Sequence, residues 1–167
     1  MATPKITTVE EALATVREDG KALKDVPDKL KTAEVCLEAI KQQGKFELYT
    51  VPHGTMSDEV FAFNYVPANL WTAEMCLEAL KLKAANISAF YQVPDNVKTA
   101  EACLEAVRQN GTMLKLVPEK LKTVELCLEA VKNLSAPPPF IEPNWDRFSN
   151  VPEGLREEVR RRYESGK

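Results

Sequence analysis

Four cysteines recur in nearly identical decapeptides, and their thiols are the groups of this chain best suited to chemistry. The decapeptides read TAEVCLEAIK, TAEMCLEALK, TAEACLEAVR and TVELCLEAVK, and they contain Cys36, Cys76, Cys103 and Cys127. Thiolates bind metals or act as nucleophiles, and two close thiols can form a disulfide. Zinc, however, needs a tetrahedral group of ligands, whereas these cysteines are 40, 27 and 24 residues apart, one in each predicted helix. We expect a structural core ladder without metal or cofactor. The alternatives are a redox-active or disulfide-bonded neighbouring pair and a metal site.

Each decapeptide also contains two glutamates four residues apart, such as Glu34 and Glu38. General acid–base catalysis uses two carboxyl groups that lie in different environments within one cleft. Here the same pair recurs on the predicted polar face of every helix, where negative charge in the first turn complements the helix dipole. We interpret the pairs as a solvated surface, with recognition of a basic partner as the alternative, and predict no catalytic residue.

Motifs of known enzyme classes are absent from the sequence. It contains no phosphate-binding loop, no G-x-S-x-G and no H-E-x-x-H, and its one histidine, His53, has no partner motif for a triad. We therefore predict that the protein is not an enzyme, although a small enzyme without a recognisable motif stays an alternative.

The charge and the composition restrict the classes of partner. The net charge of −3 argues against a duplex nucleic-acid binder, which normally has a basic footprint. A second alternative is nucleic-acid binding through the C-terminal arginines Arg160, Arg161 and Arg162. The sequence predicts no membrane-spanning helix, since no apolar run approaches about 18 residues. The first residues, MATPKITTVEEAL, lack the apolar core of a signal peptide, so we expect a cytoplasmic protein with reduced thiols.

The elements that position these residues form a tandem repeat. Val-Pro begins at residues 26, 51, 66, 93, 117 and 151, which gives a basic unit of about 24–27 residues. Each unit reads V-P-x-x-[LV]-x-T-x-E-x-C-L-E-A-x-[KR], and the predicted units lie near 6–25, 26–50, 51–65, 66–92, 93–116 and 117–135. The unit at 51–65 is truncated, because it lacks about ten residues of helix.

Within a unit, the threonine before the decapeptide is the expected N-cap of one clear helix. Ala33, Cys36, Leu37 and Ile40 form the predicted apolar stripe of that helix, and the other decapeptides repeat this spacing. Gly44 and Gly111 are predicted to end their helices in the left-handed conformation. A shorter helix or turn should follow, before the next Val-Pro.

The predicted fold is an all-α solenoid of helical-hairpin repeats. Residues 136–150 hold several prolines and should form an extended strap, which either packs on the last repeat or serves as a docking peptide. Residues 151–167 should form a polar helix that caps the end of the apolar core.

The repeat pattern V-P-x-x-L-x-T-x-E-x-C-L-E-A-V-x-x-x-G resembles an uncharacterised family of short α-helical repeats found in bacteria and large viruses, catalogued as domain of unknown function 4116. The resemblance covers residues 6–135 except the truncated unit, and it covers the tail poorly. It implies a helical repeat fold and brings no catalytic residues.

Aromatic residues are concentrated where the repeats depart from their pattern. Trp71 precedes its capping threonine where other units have lysine, so we expect this position to be exposed. The candidate partner-binding residues are Trp71, Phe61, Phe63, Tyr65, Phe90 and Tyr91. The alternative is that rings fill the space left by the shortened helix. The predicted function is a protein–protein interaction module (scaffold, adaptor or inhibitor), with an unidentified protein partner.

Overall fold

The computed structural model describes residues 6–45, 61–82, 86–134 and 148–166. Every regular element in these ranges is helical, which confirms the predicted all-α class for the described part of the chain. The chain divides into two compact units, Met1–Val97 and Lys98–Lys167. Most of the predicted truncated repeat at 51–65 and of the predicted strap at 136–150 lies outside the described residues.

The described residues of the first unit contain four α-helices, joined in part by short 3₁₀ helices. The α-helices are α1 (Val9–Glu18), α2 (Ala33–Lys45), α3 (Ala73–Leu80) and α4 (Asn86–Gln92). The 3₁₀ helices are Gly20–Asp25, Asp28–Leu30, Ala62–Tyr65 and Ala68–Leu70. Helix α1 packs on α2, α2 on α3 and α3 on α4, so helices that follow one another along the chain are neighbours in space.

The second unit has the same kind of element order. Its α-helices are α5 (Ala100–Gln109), α6 (Val124–Lys132) and α7 (Glu153–Ser165), and its 3₁₀ helices are Gly111–Leu116 and Glu119–Leu121. Helix α5 packs on α6, and α6 packs on α7.

Threonine side chains begin the repeat helices, as predicted. Each hydroxyl oxygen accepts a hydrogen bond from the backbone N–H three residues later, at 3.1 to 3.2 Å, in Thr8, Thr32, Thr72, Thr99 and Thr123. This bond satisfies one of the backbone donors that have no partner within the helix. The polar residue before each decapeptide therefore sets where its helix starts.

The buried face of the repeat helices differs from the predicted stripe. In α2 the fully buried side chains are Val35, Cys36, Ala39 and Ile40, whereas Ala33 is exposed and Leu37 is half-buried. The other decapeptides bury the same four positions. At 100° per residue this face is turned by roughly 80° from the predicted one. In α2 and α6, the alanine at the seventh helical position lies where another backbone comes close.

That close backbone belongs to a glycine, and its role differs from the predicted one. A Cβ atom on Gly20 would overlap the carbonyl oxygen of Ala39, and one on Gly111 would overlap that of Ala130. Gly111 does not have a left-handed backbone, since α5 ends earlier at an extended Asn110. Gly44 also does not end a helix, because α2 continues through it to Lys45. The glycine that opens the 3₁₀ helix is needed for backbone-to-backbone packing.

The same local geometry occurs once in each unit. Residues 8–41 and 99–132 align without a gap, at a constant offset of 91. Arg17 Nε lies 3.8 Å from Glu38 Oε1, and the equivalent Arg108 Nε lies 3.8 Å from Glu129 Oε1. The two units therefore share this contact between neighbouring helices as well as the sequence pattern.

Candidate functional site

The four cysteines lie in the interior of the protein. Cys36, Cys76, Cys103 and Cys127 each have a relative exposure of 0% and form no disulfide. Burial raises the pKa of the Cys36 and Cys127 thiols to about 11, although Lys31 and Lys122 respectively oppose the shift. Both thiols are therefore protonated at neutral pH and poorly reactive. Within the described ranges, no group of three or more His, Cys, Asp or Glu side chains could hold a metal ion.

Several of the repeated glutamates form ion pairs between neighbouring helices. Glu38 of α2 faces Arg17 of α1, and Glu74 of α3 accepts a hydrogen bond from Lys41 of α2 at 2.7 Å. In the second unit, Glu129 faces Arg108 at 3.8 Å. A basic residue near the end of one helix thus reaches a carboxylate of the next helix. These contacts join neighbouring helices.

The position before the capping threonine is buried, which corrects the expectation that Trp71 is exposed. Trp71 is only 6% exposed, and Lys98 in the equivalent position is 8% exposed. The side chains of Lys31 and Lys122 are 8% and 7% exposed, and their ammonium groups reach Asp28 at 2.9 Å and Glu119 at 2.6 Å. Lysine can bury its aliphatic stem while its charge stays paired at the surface. An indole ring fills the same space, so Trp71 does not belong to an exposed surface.

Phe63 and Phe90 are also buried, and a second repeated position explains why. Both lie three residues before the valine of a Val-Pro, and both have a relative exposure of 0%. The same position holds a buried residue elsewhere, namely Leu23, Leu114 and Phe148. In four of these five turns the backbone carbonyl accepts a hydrogen bond from the valine N–H: Leu23, Phe63, Leu114 and Phe148. This [LF]-x-x-V-P pattern is visible in the sequence and identifies these rings as core residues.

The remaining candidates lie at the surface to different degrees. Tyr91 is 73% exposed, whereas Phe61 and Tyr65 are half-buried. The ring of Phe61 stacks on that of Phe63, with centroids 5.1 Å apart. Ile87, which the sequence analysis did not select, is 43% exposed. Ile87 and Tyr91 are the exposed large apolar side chains of the described residues.

Ile87 occupies the position that belongs to glycine in the other repeats. It lies six residues before the valine of Val-Pro, as do Gly20 and Gly111. An isoleucine side chain cannot enter the backbone-to-backbone contact that those glycines make. The stretch from the capping threonine to the next Val-Pro is also longer here. It spans 21 residues from Thr72 to Val93, but 18 residues from Thr8 to Val26. This segment forms the α-helix α4, and the Ile87 side chain is exposed to solvent.

The segment that bears these two side chains, and the segment hydrogen-bonded to it, contain no charged residue. Residues 61–73 and 86–94 contain no Asp, Glu, Lys or Arg, whereas the corresponding residues 20–31 contain six charged side chains. A hydrogen bond from Gln92 to Asn64 joins the two segments. We call the exposed side chains of residues 61–73 and 86–94 the uncharged surface. In a chain with 28% charged residues, this composition marks the surface as different from the rest.

The C-terminal arginines are engaged within the protein. Arg161 and Arg162 both pair with Glu158, at 2.7 and 2.6 Å, and Arg162 also reaches Glu125 of α6 at 3.3 Å. The guanidinium carbon of Arg160 lies 4.9 Å from the centroid of the Phe148 ring. These contacts favour a structural role of α7 in packing on α6 over a basic footprint for nucleic acid.

His53 lies outside the described residues.

No helix that the structure describes has both the length and the apolar character needed to cross a membrane. Comparison of the chain with family models, with curated proteins and with solved structures gives no match.

Proposed function

We infer that the protein is a non-enzymatic protein–protein interaction module, built as an α-solenoid of tandem helical repeats. Such arrays stack each repeat on its neighbours and expose a long surface that suits protein partners. The roles that fit this proposal are those of a scaffold, an adaptor or an inhibitor in the cytoplasm. The resemblance of the V-P-to-glycine pattern to the short helical repeat family belongs to the same proposal.

Support for the repeat array comes from contacts that recur with the sequence period. Helices that are sequential in the chain pack on one another within each unit. The glycine contacts of Gly20 and Gly111 and the two arginine–glutamate pairs occur at equivalent positions. A repeat that buries its apolar face only against its neighbours needs junctions that recur from repeat to repeat.

The uncharged surface is the observation that carries the proposed function. Exposed tyrosine is enriched in protein interfaces, where its large ring provides contact area and its hydroxyl a hydrogen bond. Tyr91 is 73% exposed on α4, although the chain buries comparable rings elsewhere. Exposing an apolar pair is unfavourable in water unless a partner covers it.

The test compares proteins captured by the tagged protein from its native cell. The double variant Ile87→Ser/Tyr91→Ala should lose a specific partner, because both exposed apolar contacts disappear while the core is unchanged. The control is Lys115→Ala, since Lys115 is exposed at the position equivalent to Tyr91. A photo-crosslinking residue at position 91 should label the same partner. An unchanged set of captured proteins in the folded double variant would contradict the proposal.

A further inference from the structure

Asn110 and Gly111 form the one Asn-Gly dipeptide of the sequence, at the junction between two helices. Helix α5 ends at Gln109, and the 3₁₀ helix Gly111–Leu116 follows Asn110 directly. Asparagine before glycine is the sequence most prone to spontaneous deamidation, because glycine has no side chain to hinder attack by its own backbone nitrogen. We propose that Asn110 is a modification site that the folded structure protects, and that it reacts when the 3₁₀ helix separates from α6.

The reaction needs water as its only co-reactant. The backbone nitrogen of Gly111 attacks Cγ of Asn110 and loses its proton, a new C–N bond forms, and the side-chain nitrogen leaves as ammonia. Water then opens the resulting cyclic succinimide at either of its carbonyl groups. One opening gives aspartate. The other gives isoaspartate, in which the main chain runs through the former side chain and is longer by one methylene group.

Contacts on both reacting groups protect this site in the folded chain. The attacking N–H of Gly111 donates a hydrogen bond to the backbone carbonyl oxygen of Asn133 at 3.2 Å. Oδ1 of Asn110 accepts hydrogen bonds from the backbone N–H of Thr112 at 3.0 Å and from its hydroxyl at 2.8 Å. Gly111 is also buried against α6, where a Cβ atom would lie 2.0 Å from the carbonyl oxygen of Ala130. The attacking nitrogen and the amide are therefore both held, in a place without room to rearrange.

The two products differ in whether they fit this junction. The equivalent residue of the first unit is Asp19, whose Oδ1 accepts a hydrogen bond from the backbone N–H of Lys21 at 2.9 Å. Aspartate therefore supports the same cap as Asn110. Isoaspartate lengthens the main chain beside Gly111, where the backbone of α6 leaves no space for one added carbon. A chain that forms isoaspartate while the junction is open cannot restore the contact, so the modification is a lasting record of that opening.

The experiment compares the deamidation rate of the full-length chain in native buffer and in guanidinium chloride, at the same mildly alkaline pH and temperature. Mass spectrometry of the peptide that contains residue 110 measures loss of the amide, and isoaspartyl methyltransferase measures isoaspartate. We expect the folded chain to react at least about tenfold more slowly, because buried backbone contacts open rarely. Asn133 is the internal control, since Leu134 follows it and hinders the same attack in both conditions. Equal rates at Asn110 in the two conditions would overturn the proposal.

A second measurement tests the effect of the product. After incubation the denaturant is removed, and urea denaturation compares the isoaspartate-containing fraction with Asn110→Ser treated in the same way. Serine can cap the 3₁₀ helix but forms no succinimide, so this variant should keep its unfolding midpoint. The isoaspartate fraction should unfold at a lower urea concentration, whereas freshly prepared Asn110→Asp should match the wild type. An isoaspartate fraction as stable as the wild type would contradict the proposed loss of the contact.

Discussion

The thiols of Cys36 and Cys127 have a pKa of about 11 because burial disfavours the charged thiolate. The sequence alone presents these cysteines as possible metal ligands, redox groups or core residues. Burial decides between these roles, since each of the four cysteines has a relative exposure of 0% and forms no disulfide. At the residue scale, burial therefore sets the chemistry of a side chain whose type is already known.

Alkaline pH should reveal the two shifted thiols. A free thiol titrates near 8.5 when the chain is unfolded and near 11 in the folded protein. The folded protein holds these protons longer, so stability that is fully present below about pH 8.5 is lost as the pH rises towards 11. Between about pH 9 and pH 11, the free energy of unfolding should fall more steeply for the wild type than for Cys36→Ala/Cys127→Ala. Urea denaturation across this range measures the difference, and parallel curves would disprove it.

Trp71 should matter for stability. It is 6% exposed, so Trp71→Ala removes a large buried ring and should lower the free energy of unfolding by about 3–5 kcal/mol. Tyr91→Ala is the matched control, because that ring is 73% exposed and its removal should change stability by no more than about 0.5 kcal/mol. Urea denaturation of both variants checks this, and equal losses would show that the two rings are not so differently placed.

At the scale of the element, glycine controls how a 3₁₀ helix meets the next α-helix. Gly20 and Gly111 lie against the backbones of α2 and α6, where a Cβ has no room. The sequence shows these glycines only as helix breakers, because a close approach between distant residues leaves no local mark. The same approach explains why Ala39 and Ala130 are buried.

Substitution of these glycines should be costly. Gly20→Ala and Gly111→Ala should each destabilise the protein by about 1–3 kcal/mol, since the added methyl group forces two backbones apart. Gly154→Ala is the control, because nothing lies within 4 Å of the added Cβ at that position of α7. This change should leave stability unchanged or raise it by up to about 1 kcal/mol. Chemical denaturation measures all three, and a neutral Gly20→Ala would refute the close contact.

At the scale of the whole molecule, basic residues of the C-terminal helix pair with carboxylates of the same chain. The net charge is −3, and Arg161 and Arg162 share Glu158. Pairing with Glu158 lowers the pKa of that carboxyl group, because hydrogen bonds from the two guanidinium groups stabilise its charged form. The positive charges of Arg161 and Arg162 are therefore neutralised by neighbouring carboxylates.

Nucleic-acid binding through α7 should accordingly be absent. We expect no binding of single-stranded RNA or duplex DNA at low salt, where counterion release favours binding most. Fluorescence anisotropy at two salt concentrations measures this with the full chain. Binding that weakens with salt and disappears in Arg161→Ala/Arg162→Ala would revive the nucleic-acid function.

Local patterns in the sequence determine the helical class, the repeat period, the threonine caps and the burial of the cysteines. They also contain the rule that places Phe63 and Phe90 in the core, in the position three residues before each Val-Pro valine. These features are predictable because they depend on hydrogen bonds and apolar spacing within a few residues.

Only the tertiary structure decided that Trp71 is buried and that Ile87 is exposed. Trp71 and Lys98 occupy equivalent positions that are buried, although lysine in a sequence indicates exposure. Ile87 is exposed because the segment that bears it forms an α-helix in place of a glycine contact. Exposure depends on which backbone approaches from elsewhere in the fold, and that approach is set by the packing of whole helices, which no single repeat encodes.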